Sequence, residues 1–158
     1  MIVQDIMTKH VVCVRMDETL DVVRDLLSAR RIHHVVVLDD NKVVGIISDR
    51  DVLRHLSPFT GTNSERTIDA GTLRKRVHQF MTRNVQAVRS DMLAVDAAKM
   101  LIERGISCVP VVSEHEALVG ILTTRDLLRS AIRMGCFTRC ELPGQAPPQD
   151  GHRRNEAA

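Results

Sequence analysis

GIISDRD, residues 45–51, returns 75 residues later as GILTTRD, residues 120–126. Each copy runs glycine, two aliphatic residues, a hydroxyl residue, any residue, arginine and aspartate. The surroundings repeat as well. At an offset of 74, Met7-Thr8 falls on Met81-Thr82, Val14-Arg15 on Val88-Arg89, Asp17 on Asp91, Leu27 on Leu101, Ile32 on Ile106 and Val37 on Val111. A one-residue insertion in SEHEAL moves the offset to 75, and Val44-Gly45-Ile46 then meets Val119-Gly120-Ile121. The chain is an internal duplication.

Both copies predict the same elements. VVCVR (11–15) and VQAVR (85–89) are short β-branched runs and read as strands. TLDVVRDLLSAR (19–30) puts Leu20, Val23 and Leu27 on one face of an amphipathic helix, and LAVDAAKMLIER (93–104) is its counterpart. HVVVLD (34–39) and CVPVVS (108–113) are continuously apolar, as strands covered on both faces are. DDNK (39–42) is a turn leading to VVGIIS (43–48), a hairpin partner. RDVLRHL (50–56) and RDLLRSAI (125–132) close each unit with a second helix, so the order is β-α-β-β-α. SPFTGTNSERTIDAG (57–71) reads as a polar linker, and TLRKRVHQFMT (72–82) as starting in a helix. After Met134 the Pro-, Gly- and charge-rich tail is expected to be disordered. A unit of about 55 residues buries little surface alone, so the two are expected to pack together about a pseudo-twofold axis.

Composition narrows the function classes. The 158 residues are 44% hydrophobic and 27% charged, with three Phe, no Trp and no Tyr. The core must be aliphatic, and a ligand base would be held between aliphatic side chains rather than stacked on rings. The net charge of +2, with both signs mixed, lacks the basic field of a dedicated nucleic-acid binder. No apolar run reaches the ~18 residues of a membrane span, and MIVQDIMTKH does not read as a signal peptide. A cytoplasmic protein without membrane insertion is expected. Cys13 and Cys108 fall in strand-like runs as small buried hydrophobes. Cys136 and Cys140 form CFTRC with only His152 downstream, too few ligands for a metal site, so free thiols are expected.

A duplicated β-α-β-β-α unit that begins MT, carries a PVV strand (110–112) and ends GIISDRD or GILTTRD resembles a tandem pair of CBS domains. The resemblance covers residues 3–57 and 77–134. It divides the chain into repeat 1 (1–57), a linker (58–76), repeat 2 (77–134) and a tail (135–158). It implies an α/β (α+β) fold in which two sheets pack face to face, leaving clefts between the halves, and a flat homodimer of such pairs. Family members are usually non-enzymatic sensors of AMP, ADP, ATP, S-adenosylmethionine or a related ligand that regulate an effector. No effector domain is recognisable here, so one would act in trans. No cofactor is required.

The repeated motif suits such a ligand. Ser48 and Thr123 stand where a strand meets a helix, good N-cap positions, and Asp51 and Asp126 three residues on come close to a capping box. The same carboxylate at a cleft can accept from both hydroxyls of a ribose, while the helix N-terminus favours phosphate. Gly45 and Gly120 would let a ligand or a neighbouring backbone approach. The resemblance adds Arg50, Arg125, His33 and His34 as phosphate contacts, Thr8 from the MT start, and Ile6, Met7, Val12 and Val35 as aliphatic walls. Repeat 2 has Ser107-Cys108 in place of His33-His34, so the two clefts are expected to differ. Three alternatives stand beside this reading. One is a ligand-free structural pair that docks on a partner. Another is a phosphohydrolase using His33, His34 or His55, for which no nucleophile–base pair is visible. The third is nucleic-acid binding through Arg30-Arg31 and Arg74-Lys75-Arg76, short runs that suit solvated helix faces equally well.

Overall fold

Alternation along the central strand of each repeat sets the architecture. In the computed structural model, which describes residues 1–136, strand β2 (His34–Asp39) sends Val35 and Val37 into one core and Val36 into another, all fully buried. β2 lies between β1 (Cys13–Arg15), parallel to it, and β3 (Lys42–Ser48), antiparallel. The second sheet repeats the order with β4 (Val88–Arg89), β5 (Cys108–Val112) and β6 (Leu118–Thr123). Helices α1 (Leu20–Arg30) and α2 (Asp49–His55) belong to the first repeat, α4 (Ala94–Arg104) and α5 (Thr124–Arg133) to the second. One core lies between each sheet and its helices, around Leu20, Val23 and Ile47 in the first repeat and Leu101, Val109 and Leu122 in the second. A third cluster joins the sheets face to face through Val36, Cys108 and Ile121, with Cys13, Leu38 and Ile46 against them. The two packed β-α-β-β-α units are the expected fold.

The short segment that opens each repeat packs on the other repeat. Val3, Ile6 and Met7 enter the second core, and Val77, Phe80 and Met81 enter the first. The backbone exchange is reciprocal: Thr8 pairs with Ile121, and Thr82 with Ile46. Val3 N–H donates to the Met92 carbonyl at 2.9 Å, and Val77 N–H to that of Glu18 at 2.9 Å. At the duplication offset each of these contacts maps onto the other, which is the signature of a pseudo-twofold axis.

Gly45 and Gly120 permit this exchange. A Cβ on Gly120 would sit 2.4 Å from Met7 Sδ and 3.1 Å from the Thr8 carbonyl oxygen; one on Gly45 would sit 2.6 Å from Met81 Sδ and 3.2 Å from that of Thr82. A neighbouring methionine side chain and backbone carbonyl, rather than a ligand, take the space.

Three expected elements differ. The strand runs at 11–15 and 85–89 shorten to Cys13–Arg15 and Val88–Arg89. In the first copy Val11 and Val12 line a cleft instead of continuing the strand. Residues 72–82 form two 3₁₀ turns, Thr72–Arg74 and Val77–Gln79, rather than an α-helix. Between them Lys75 and Arg76 are extended, so that the Lys75 carbonyl can accept from Leu20 N–H and Arg76 can pair with Thr19. The linker is also more ordered than its composition suggests. It forms a short helix, α3 (Thr67–Gly71), whose buried Asp69 accepts from Arg66 N–H at 2.9 Å and Ser57 Oγ at 2.7 Å. Cys140, His152 and nearly all of the tail lie outside the described residues.

Gly120→Ala is expected to lower stability by about 1–3 kcal/mol, the usual cost of overpacking. Denaturant melts should show a smaller cost in a Met7→Ala background, because the two sites share one space.

Candidate functional site

The β3–α2 and β6–α5 junctions are built alike. Ser48 is extended, caps α2, and accepts from Asp51 N–H at 3.3 Å, while Asp51 Oδ2 accepts from Ser48 N–H at 2.8 Å and Ser48 Oγ at 2.6 Å. Thr123 and Asp126 reproduce these bonds at 3.2, 2.9 and 2.6 Å. Each motif is thus a full capping box, with its aspartate locked in one orientation.

Beyond the cap the two aspartates differ. Asp126 is buried, 6% exposed, and its Oδ1 accepts from Thr8 Oγ1 at 3.2 Å. Its carboxylate therefore uses three of roughly four acceptor positions. The Asp51 side chain is 19% exposed, with Arg54 Nη1 4.0 Å from its Oδ1. The opening segment of repeat 1 thus completes the motif of repeat 2.

Around Asp126 lies a cleft of about 600 Å³, the size of a small-molecule site. Of the residues expected at the site, Thr8, Val12, His33, His34, Ser48, Arg50, Thr123, Arg125 and Asp126 all line it. Met7 lines an adjoining hollow of about 410 Å³ that shares Thr8, Asp126 and Arg129. Asp51 does not line the cleft. Ile6, buried in the second core, also lines the adjoining hollow, whereas Val35 is fully buried in the first core and faces helices rather than the gap between sheets. Sequence reasoning passed over His10, Thr124 and Arg129, and it weighed Arg31 only for nucleic acid and Ser107 only as the counterpart of His33. Arg129 could have been found, since it lies one helical turn beyond Arg125 and Asp126. His10 and Arg31 could not, because only the fold brings them together. A hollow of about 770 Å³ beside β1 and the 38–41 turn contains no motif residue.

The two expected histidines take different places. His33 Nδ1 is 2.8 Å from Asp49 Oδ2, and this bond is the main cause holding the Asp49 carboxyl below the ordinary value of 3.8. His34 is partly buried, with Nε2 3.3 Å from Ser107 Oγ. Burial pulls its pKa below the ordinary 6.5, and neighbouring Asp49 opposes that pull. His55 sits apart, with Nδ1 2.8 Å from the Asp51 carbonyl oxygen and its ring against Phe80. The histidines weighed for hydrolysis are therefore not gathered into one centre. Arg76 and Lys75, weighed for nucleic acid, donate to the backbone carbonyls of Asp17 and His55. Cys13 and Cys108 are free thiols between the sheets, and burial pushes Cys108 up to about 12. Among the described residues no His, Cys, Asp or Glu group could hold a metal ion. No described helix is long and apolar enough to cross a membrane.

Comparison with known proteins follows the same lines. A CBS domain-containing protein of Dictyostelium discoideum is 33% identical over 135 residues, covering 84% of this chain and 92% of that one. The structure of CBSX2 in complex with AMP matches with a TM-score of 0.68 at 32% identity, covering 85% of this chain and 98% of that one. The CBS domain pair of protein MJ0100, in complex with 5′-methylthioadenosine and S-adenosyl-L-methionine, matches with a TM-score of 0.70 at 26% identity, covering 87% and 98%. The family model for the CBS domain matches twice, at residues 3–58 and 77–133, and the chain belongs to the CBS domain family as a pair of repeats.

Proposed function

We propose that this chain is a non-enzymatic regulatory module that binds an adenosine-containing nucleotide in the Asp126 cleft and reports it to an effector in trans. The observation that carries the reading is the Thr8–Asp126–Thr123 cluster at the head of α5, inside a cleft that also gathers basic groups from both repeats. Asp126, held by its cap, takes a ribose hydroxyl in a charge-assisted bond at its remaining acceptor position. Val11, Val12 and Ile121 offer an aliphatic bed for the base. The N-terminus of α5 and Arg125 face the phosphate end. Relatives solved with AMP and with S-adenosylmethionine support the ligand class. Asp51 lies outside this cleft.

A homodimer fits the same reading. Leu53 on α2 and Leu128 on α5 are 70% and 52% exposed and occupy equivalent positions in the two repeats. Leu128 and Ile132, the latter 60% exposed, lie one turn apart on α5 and give an apolar stripe that a second copy would cover.

Calorimetric titration with AMP, ADP, ATP and S-adenosylmethionine tests the binding. The expected result is one tight ligand per chain, weakened about tenfold or more by Asp126→Ala and little changed by Asp51→Ala. Asp126→Ala should also lower stability by about 1 kcal/mol through the lost N3 half of the capping box. If none of the four ligands binds, the chain is instead a ligand-free docking module. In sedimentation, the wild type should run as a dimer and Leu128→Asp as a folded monomer.

A further inference from the structure

Four guanidinium groups line the Asp126 cleft, those of Arg31, Arg50, Arg125 and Arg129, against the carboxylates of Asp49 and Asp126. Both carboxylates are engaged, Asp49 by His33 and Asp126 by its cap and Thr8. His10 and His34 add no negative charge. The cleft is thus net positive, and its charges come from both repeats: Arg31 and Arg50 from the first, Arg125 and Arg129 from the second.

Arg31 adds an independent observation. It caps α1 with φ 51° and ψ 44°, a left-handed conformation that strains a side chain bearing a Cβ. The equivalent cap of α4 is Gly105, with φ 62°, which adopts it freely. Repeat 1 therefore carries an arginine where helix termination favours glycine, and that arginine lines the cleft. Strain retained at the wall of a pocket points to a role in the pocket.

Building on the nucleotide-binding reading, we infer that this cleft selects adenosine ligands that carry a phosphate chain and discriminates against S-adenosylmethionine, with Arg31 as a specificity-determining residue. The physical cause is long-range charge. A sulfonium and an ammonium bring positive charge into a gap already walled by arginines, whereas a di- or triphosphate would meet arginines from both repeats. A partly enclosed cleft strengthens both effects relative to open water. The resulting order of affinity is ATP and ADP above AMP, AMP above adenosine, and S-adenosylmethionine last.

Titration calorimetry of the full chain with ADP, AMP, adenosine and S-adenosylmethionine tests the order. ADP should bind at least tenfold more tightly than adenosine, and raising salt from 50 to 300 mM should weaken ADP most, AMP less and adenosine not at all, changes of roughly this size following from the loss of one charge-assisted contact and its screening. Arg50→Ala with Arg125→Ala should erase most of the ADP advantage and leave adenosine binding in place, which also shows that the variant is folded. Arg31→Gly separates pocket from scaffold: its melting point should hold or rise, while ADP affinity falls about five- to tenfold, as expected for one lost ion contact. Binding of adenosine or S-adenosylmethionine as tight as that of ADP, or an Arg31→Gly variant with unchanged ADP affinity, overturns the inference while leaving adenosine recognition by Asp126 intact. Loss of all binding, adenosine included, would instead remove the nucleotide reading itself.

Discussion

The contact on which this molecule depends is the approach of a Met-Thr segment from one repeat onto the glycine-bearing hairpin strand of the other. At Gly120 the thioether of Met7 and the carbonyl of Thr8 occupy the space a side chain would need, and Met81 and Thr82 do the same at Gly45. Because the glycines allow it, Thr8 pairs with Ile121 and Thr82 with Ile46. Each repeat then receives part of its core from the other: Val3 in the second, Val77 in the first, both fully buried. The repeats are consequently two halves of one folding unit, which suits modules too small to bury enough surface alone.

The same exchange creates the site. Asp126 is held at the head of α5 by its own strand and helix, and the hydroxyl that completes it, Thr8, arrives from the start of the chain, 118 residues away. Duplication supplied two equal frames, and divergence made them unequal. Where repeat 1 has His33-His34, repeat 2 has Ser107-Cys108; where repeat 2 has Gly105, repeat 1 has Arg31. His34 meets Ser107 across the axis at 3.3 Å, so residues that differ between the copies are brought to face each other in one cleft. In the proposed reading, asymmetry of this kind gives a symmetric scaffold a site with a direction, in which a ribose would lie at Asp126 and a phosphate chain among the arginines.

Much of this was legible in the sequence because it depends on local pattern. Helices α1 and α4 follow from apolar spacing, β2 and β5 from continuous apolar runs, and the two capping boxes from Ser48/Asp51 and Thr123/Asp126. What could not be read depends on contacts distant in the chain. Lys75 and Arg76 are extended because the N-terminus of α1 needs them as partners, a demand invisible within residues 72–82. Val35 and Val12 look alike in sequence, yet strand alternation buries Val35 under α1, whereas Val12 sits before β1 and lines the cleft. Asp51 and Asp126 share a motif, and only the position of Thr8 and the shape of the gap distinguish them.

Hydrogen–deuterium exchange with and without ADP tests most directly whether the two repeats build one ligand cleft. Slowed exchange at residues 8–12 together with residues 121–129, two stretches far apart in the chain, is the outcome that a shared Thr8–Asp126 site demands. Protection confined to residues 45–55, with the opening segment and α5 unchanged, would contradict it and move the ligand to Asp51.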